Sequence, residues 1–175
     1  LRGDVQQDGK TNGNGTCRYE SGRLYKRHEK RDVREEIRRK GMKAAVLTQY
    51  DKNGRKLEIQ ELEKPSPREK EVLVKIYTAA VNPVDNMIIR GEVKLIVPYS
   101  LPLIMGNEFA GQVEAVGSAV KRFKAGDRVY GRMPLSKIGA FAEYAAVEEN
   151  ALALIPDYLS YDEAATVPLT ALTAM

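Results

Sequence analysis

Glycines and prolines cut residues 42–155 into apolar runs of strand length, and no stretch of the chain stays apolar for the ~18–20 residues of a membrane-spanning helix. The runs that remain alternate or carry β-branched residues. Lys43–Thr48 and Leu57–Leu62 read as strands on either side of an Asp51–Gly54 turn. The clearest is Val72–Tyr77, with Val72, Val74 and Ile76 on one face and Leu73, Lys75 and Tyr77 on the other. Asn82-Pro83 opens a short helix or turn that ends at Arg90-Gly91. Glu108–Val116, Arg128–Tyr130, Ala140–Val147 and Leu152–Ile155 read as further strands, with a turn at Phe123–Asp127. So many short strands with glycine or proline turns predict a mainly β fold, a closed or partly open β-barrel with short helices.

Charge divides the chain. Residues 1–41 carry 12 Lys and Arg against 7 Asp and Glu, whereas residues 42–175 carry 16 against 17. The near-neutral remainder offers no basic face for nucleic acid. Residues 1–41 are polar and glycine-rich, with no periodic apolar positions to offset their ordering entropy. They read either as a basic arm for nucleic acid or an acidic partner, or as a disordered or non-native leader, and the mixed charge favours the second. Arg38-Arg39-Lys40-Gly41 can be encoded by a purine-rich tract like a bacterial ribosome-binding site, which makes Met42 the expected native start. Residues 1–30 hold no apolar signal core, so a cytoplasmic location is expected. The single cysteine, Cys17, excludes an internal disulfide framework.

The expected organisation is a leader over 1–41, a β domain over 42–160 and a different segment over 161–175. Ser160-Tyr-Asp-Glu163 fits a capping box, and Pro168 precedes a run of helix-forming residues to Met175. No glycine, proline or basic turn ends that helix, so the chain is expected to be truncated within an element.

Five motifs in order carry a resemblance: Val81-Asn-Pro-Val-Asp85 with Arg90-Gly91; Pro102-Leu-Ile-Met-Gly106-Asn-Glu108-Phe-Ala-Gly111; Gly117 with Phe123-Lys-Ala-Gly126-Asp127-Arg-Val-Tyr-Gly131; Gly139-Ala-Phe-Ala-Glu143-Tyr144; and Ala164-Ala-Thr-Val-Pro168 through Thr173-Ala174. Together residues 42–175 resemble the N-terminal half of medium-chain dehydrogenase/reductases, nearest to the zinc-free quinone oxidoreductase-like branch. The resemblance implies a GroES-like barrel on the substrate side of a cleft, truncated before an α/β Rossmann domain. That domain would hold NADPH or NADH. No Gly-x-Gly-x-x-Gly fingerprint follows a strand here, and Gly13 and Gly15 sit in the polar leader. The resemblance implies a small-molecule quinone or enone as substrate and a homodimeric parent, with no nucleic-acid or membrane partner.

A catalytic zinc site needs three N, S or O ligands, typically with His or Cys among them. Cys17 and His28 both lie in the leader, and residues 42–175 contain neither residue type. The zinc-dependent branch carries Cys at the position of Asn82 and His at that of Asn107, so the expectation is no zinc. An unactivated alcohol is then a poor substrate, and hydride transfer to an electrophilic quinone or enone fits better. Asn82 can supply an amide near the reacting centre or act as an Asn-Pro turn initiator; the resemblance favours the cleft and makes it the candidate catalytic residue. Asp85 and Arg90 resemble a pair beside the nicotinamide, the alternative being a local cap or surface arrangement. Thr173 matches a threonine that contacts the nicotinamide, the alternative being a helix threonine bonded back to a carbonyl. The family's related reductases often carry Tyr where Met87 stands, which leaves the substrate-orienting donor unassigned. Asn82, Asp85, Arg90 and Thr173 are therefore the candidate cofactor-binding residues. Two other functions stay open: an enoyl thioester reductase of the same superfamily, and a stand-alone GroES-like interaction module. By itself the chain is expected to be inactive.

Overall fold

The computed structural model describes residues 41–53 and 57–175. The expectations for residues 1–40, with Cys17 and His28, lie outside the described residues. Among the described residues eight strands and three short α-helices follow in order: β1 (Gly41–Leu47), β2 (Glu58–Glu63), β3 (Glu71–Ala80), α1 (Pro83–Arg90), β4 (Leu103–Ile104), β5 (Glu108–Val116), β6 (Arg128–Arg132), β7 (Tyr144–Glu148), β8 (Leu152–Leu154), α2 (Tyr161–Ala165) and α3 (Val167–Ala174). They form two antiparallel sheets, β2-β1-β4 and β7-β3-β5-β6-β8. The fold is the expected mainly β, partly open arrangement. β1 begins two residues before the expected Lys43, with Gly41 opposite Glu63.

Period-two alternation decides what each face of the larger sheet meets. Val72, Val74, Phe109, Val113, Val129 and Val147 turn to one side and form the main core with Phe123 and Met133. Ala110 and Tyr130 turn to the other side, against Ala164 and Ala165 of α2. α2 is also tied to β3: Thr78 Oγ1 donates to Asp162 at 2.6 Å, and the Tyr77 and Tyr161 rings lie 4.8 Å apart. Its start is the capping box read from the sequence, with the Glu163 N–H donating to Ser160 Oγ at 3.2 Å and Ser160 N–H to Glu163 at 2.9 Å. A third cluster places Ile88 and Ile89 of α1 against Leu47, Met105 and Ile138.

Ala140–Glu143 departs from the expected strand. This segment crosses between the sheets: Ala45 N–H donates to the Phe141 carbonyl at 2.8 Å, Glu143 N–H to Lys43 at 3.0 Å, and Ile76 N–H to the Glu143 carbonyl at 2.9 Å. A chain divided between two partners cannot continue one ladder, so β7 starts only at Tyr144. β4 was not anticipated, because its two residues are too few to show alternation.

The β3–β5 ladder shifts register between Ile76 and Thr78, where Gly111 lies against β3. A Cβ at Gly111 would overlap the Lys75 carbonyl oxygen, and backbone cannot step aside as a side chain does. Gly111→Ala is expected to cost about 1–3 kcal/mol, the range for overpacking. Denaturant unfolding should show a lower midpoint with an unchanged slope.

Candidate functional site

The site grows from the polar entry of β5. Asn107 and Glu108 are 0% and 1% exposed, and Glu108 has no ion pair among the described residues. Successive strand residues point to opposite faces, so the two side chains reach different partners. Asn107 Nδ2 donates to Asp85 Oδ1 at 2.7 Å. Glu108 Oε1 accepts from Asn82 Nδ2 at 2.7 Å, and Oε2 accepts from the Leu169 backbone N–H at 2.6 Å. Asn82 is the N-cap of α1, and its N–H donates to Asp85 Oδ2 at 2.8 Å. Leu169 lies in the first turn of α3, where N–H groups lack helical partners. One hydrogen-bonded chain thus runs Asn107, Asp85, Asn82, Glu108, Leu169 and fixes two helix N-termini to one strand.

This arrangement frames a cavity of about 620 Å³, lined by Asn82, Arg132, Leu135, Leu169 and Thr173 among others. A second cavity of about 500 Å³ shares Arg132 and Leu135 with the first and reaches β8. α3 separates them, with Leu169 and Thr173 toward the first and Pro168, Ala171 and Leu172 toward the second. Tyr99 holds the Leu135 wall through a 2.7 Å bond from its hydroxyl to the Leu135 carbonyl.

The structure brings Asn82 and Thr173 together in one cavity wall. It gives both side chains prior engagements. The Asn82 amide nitrogen donates to Glu108, with a longer 3.5 Å approach to the Ala80 carbonyl. A carboxylate only accepts, so the amide hydrogens turn to it and not to the cavity. Thr173 Oγ1 donates to the Leu169 carbonyl at 2.7 Å, the back-bonded helix arrangement, and its lone pairs stay available. Asp85 lies beneath Asn82, 1% exposed, in a capping role. Arg90 is in the last turn of α1, paired with Glu92 at 2.5 Å, and it is absent from the cavity wall.

Burial pushes the Asp85 carboxyl above the usual range, and the nearby Glu108 adds to this; the bonds from Asn82 and Asn107 act the other way. Burial likewise raises the Tyr99 hydroxyl, with Asp85 adding to the rise and Arg132 opposing it.

Sequence reasoning missed Glu108 as the organising group and Arg132 as a wall residue. The available signals were the polar Asn107-Glu108 pair in front of an apolar strand, and the period-two series Arg128, Tyr130, Arg132. Among the described residues, no group of three or more His, Cys, Asp or Glu could hold a metal ion.

The model of the alcohol dehydrogenase GroES-like domain family matches residues 68–157. A quinone-oxidoreductase homolog, chloroplastic, from Spinacia oleracea is 42% identical over 110 residues, covering 63% of this chain and 33% of the relative. An NADPH-dependent alkenal/one oxidoreductase, chloroplastic, from Arabidopsis thaliana is 39% identical over 145 residues, covering 77% of this chain and 36% of the relative. The crystal structure of Escherichia coli quinone oxidoreductase complexed with NADPH superposes with a TM-score of 0.67 at 30% identity, over 75% of this chain and 38% of that one. The chain therefore spans between a third and two fifths of the length of these proteins.

Two outcomes are expected. Glu108→Gln places an NH₂ against a donor and should cost about 1–3 kcal/mol, the penalty for an unmet buried group, with faster hydrogen exchange at the α3 amides. Carbon-detected titration of Asp85 should give a midpoint above ~3.9, the ordinary aspartate value. A raised folded-state pKa means that the stabilising contribution of this group is present below the ordinary value and is lost as pH rises through the folded midpoint. Ionised Asp85 therefore opposes folding at neutral pH.

Proposed function

The chain belongs to the alcohol dehydrogenase-like, medium-chain dehydrogenase/reductase superfamily as its GroES-like N-terminal half, and on that premise we propose that it forms the substrate side of an NAD(P)H-dependent reductase of quinones or conjugated enones. The observation that carries the reading is the cavity of about 620 Å³ in which Asn82, Arg132, Thr170 and Thr173 stand among the apolar side chains of Pro83, Val84, Leu135, Leu169 and Ala174. Similarity to proteins described as quinone and alkenal/one oxidoreductases supports the same chemistry.

The residues fit one end of the cofactor. A nicotinamide ring is planar and carries a carboxamide with both donors and acceptors, and Thr173 keeps acceptor lone pairs on the cavity wall. When bound, this ring supplies a hydride. The chain's own residues hold the reacting groups together: Pro83, Val84 and Leu169 supply apolar surface that excludes water, and Glu108 fixes Asn82 and the first turn of α3 on either side. The pyrophosphate end has no counterpart among the motifs of residues 1–175, because no glycine fingerprint follows a strand. Activity then requires a dinucleotide-binding partner domain, and the chain by itself is inactive.

Zinc does not fit this donor set. One side-chain amide, two hydroxyls and one guanidinium line the cavity, with the Glu108 carboxylate bonded to Asn82, and none of these residues offers a thiol or an imidazole. We read the reaction as zinc-independent on that ground.

A pyrophosphate-free hydride donor, 1-benzyl-1,4-dihydronicotinamide, tests the reading on this chain. It should shift amide resonances of Asn82, Leu169 and Thr173 and leave Arg90 unmoved, while NADPH itself shows no saturable binding at micromolar concentration. Shifts confined to Arg90 and its surroundings, or micromolar NADPH binding to this chain, would sink the placement.

A further inference from the structure

Arg132 has no task in the reading above. It closes β6 on the face shared by Arg128 and Tyr130 and stands opposite Glu108 in the β5–β6 register. Arg128 is satisfied: it donates to the Leu159 carbonyl at 2.6 Å, and its guanidinium lies 4.9 Å from the centre of the Tyr161 ring. Arg132 is not. The carboxylate across from it is committed to Asn82 and to Leu169 N–H. Arg132 Nε is buried with no hydrogen-bond partner among the described residues, and the Arg132 side chain has no ion pair there. A guanidinium cannot shed its proton to relieve this, and in a half-buried side chain the enclosed Nε–H is left without an acceptor. Arg132 is also the charged residue common to both cavities, whose other wall residues are all uncharged.

A ligand that brings negative charge to this cavity completes the pairing. The reductase reading supplies one whose charge appears during the reaction. Asn82 is not its donor, since its amide hydrogens face Glu108 and Ala80.

We propose that Arg132 receives the carbonyl oxygen of a quinone or α,β-unsaturated ketone in this cavity and stabilises the negative charge which that oxygen gains on reduction. The proposal rests on the reductase reading and names the group that takes the place of a Lewis acid. NAD(P)H is the reductant. Hydride forms a C–H bond at the β-carbon of the enone; the C=C electron pair moves to join the α-carbon to the carbonyl carbon, and the C=O π pair moves onto oxygen. The resulting enolate oxygen pairs with the Arg132 guanidinium. A proton from water then reaches the α-carbon and restores the ketone. With a quinone, hydride at a ring carbon likewise gives an enolate; its oxygen takes a proton from water, and transfer of the ring C–H proton through water to the second carbonyl oxygen leaves the hydroquinone. A fixed charged donor placed where negative charge develops is a strong form of such stabilisation.

The test compares two planar probes on the 175-residue chain, 4-nitrophenolate and its neutral methyl ether 4-nitroanisole, at a pH where the phenol is ionised. The phenolate should bind about tenfold or more tightly than the ether, a difference of ~1.4 kcal/mol or more, and should shift the Arg132 Nε–H resonance. Arg132→Gln should remove the preference, and Arg132→Lys, which keeps the charge, should retain part of it. Unfolding midpoints of both variants are measured alongside. Equal affinity of the wild-type chain for the two probes overturns the proposal, as does a phenolate preference that persists in Arg132→Gln. The comparison on the wild-type chain stands whether or not a variant folds. Neither result bears on where the dihydronicotinamide binds, so the oxyanion role can fail while the reductase reading survives.

Discussion

A buried carboxylate that finds its partners in N–H groups, and not in a cation, sets the geometry of this site. Glu108 is 1% exposed and accepts from Asn82 Nδ2 and Leu169 N–H. One donor is the side-chain amide of the α1 N-cap and the other a first-turn N–H of α3, which lacks an intrahelical partner; the helix dipole favours negative charge at such an entry. An isolated buried anion is unfavourable by several kcal/mol, so the fold must bring two helix starts to this point together or not at all. β5 supplies the fixed side of that contact. The apolar faces of α1 and α2 supply the packing that holds the helical side in place.

The same commitment explains why opposite charges can face each other across a ladder without forming an ion pair. Cross-strand neighbours stand close enough to interact. Yet Glu108 bonds to the two helices, and Arg132 is left beside the cavities. The geometry separates a structural anion from a cation that has no ion pair among the described residues. A direct Glu108–Arg132 bridge would satisfy both charges and leave the cavity wall inert.

The strands were legible because alternation is local. β5 matches its sequence reading residue for residue, and the Ser160–Glu163 capping box holds as read. What escaped the sequence depends on distant segments. Ala140–Glu143 looks like a strand by composition, but its backbone is divided between Lys43, Ala45 and Ile76. Charged residues in strands read as solvent positions. Glu108 is enclosed where α3, far along the chain, returns to bond it, and Arg132 shares a cavity wall with the same helix. The sequence leaves Arg90 two alternatives, a cofactor contact or a local arrangement, and Glu92 two residues further on supplies a local partner.

Glu108 grips α3 by its main chain. The bond at Leu169 is to an N–H that nineteen of the twenty amino acids possess, proline alone lacking it. The attachment is therefore blind to the side chain it anchors. Positions 169, 170, 173 and 174 can exchange their side chains and remodel the cavity wall while the helix stays moored to the same oxygen. A lineage built on this frame can change what it accepts without first renegotiating how it folds.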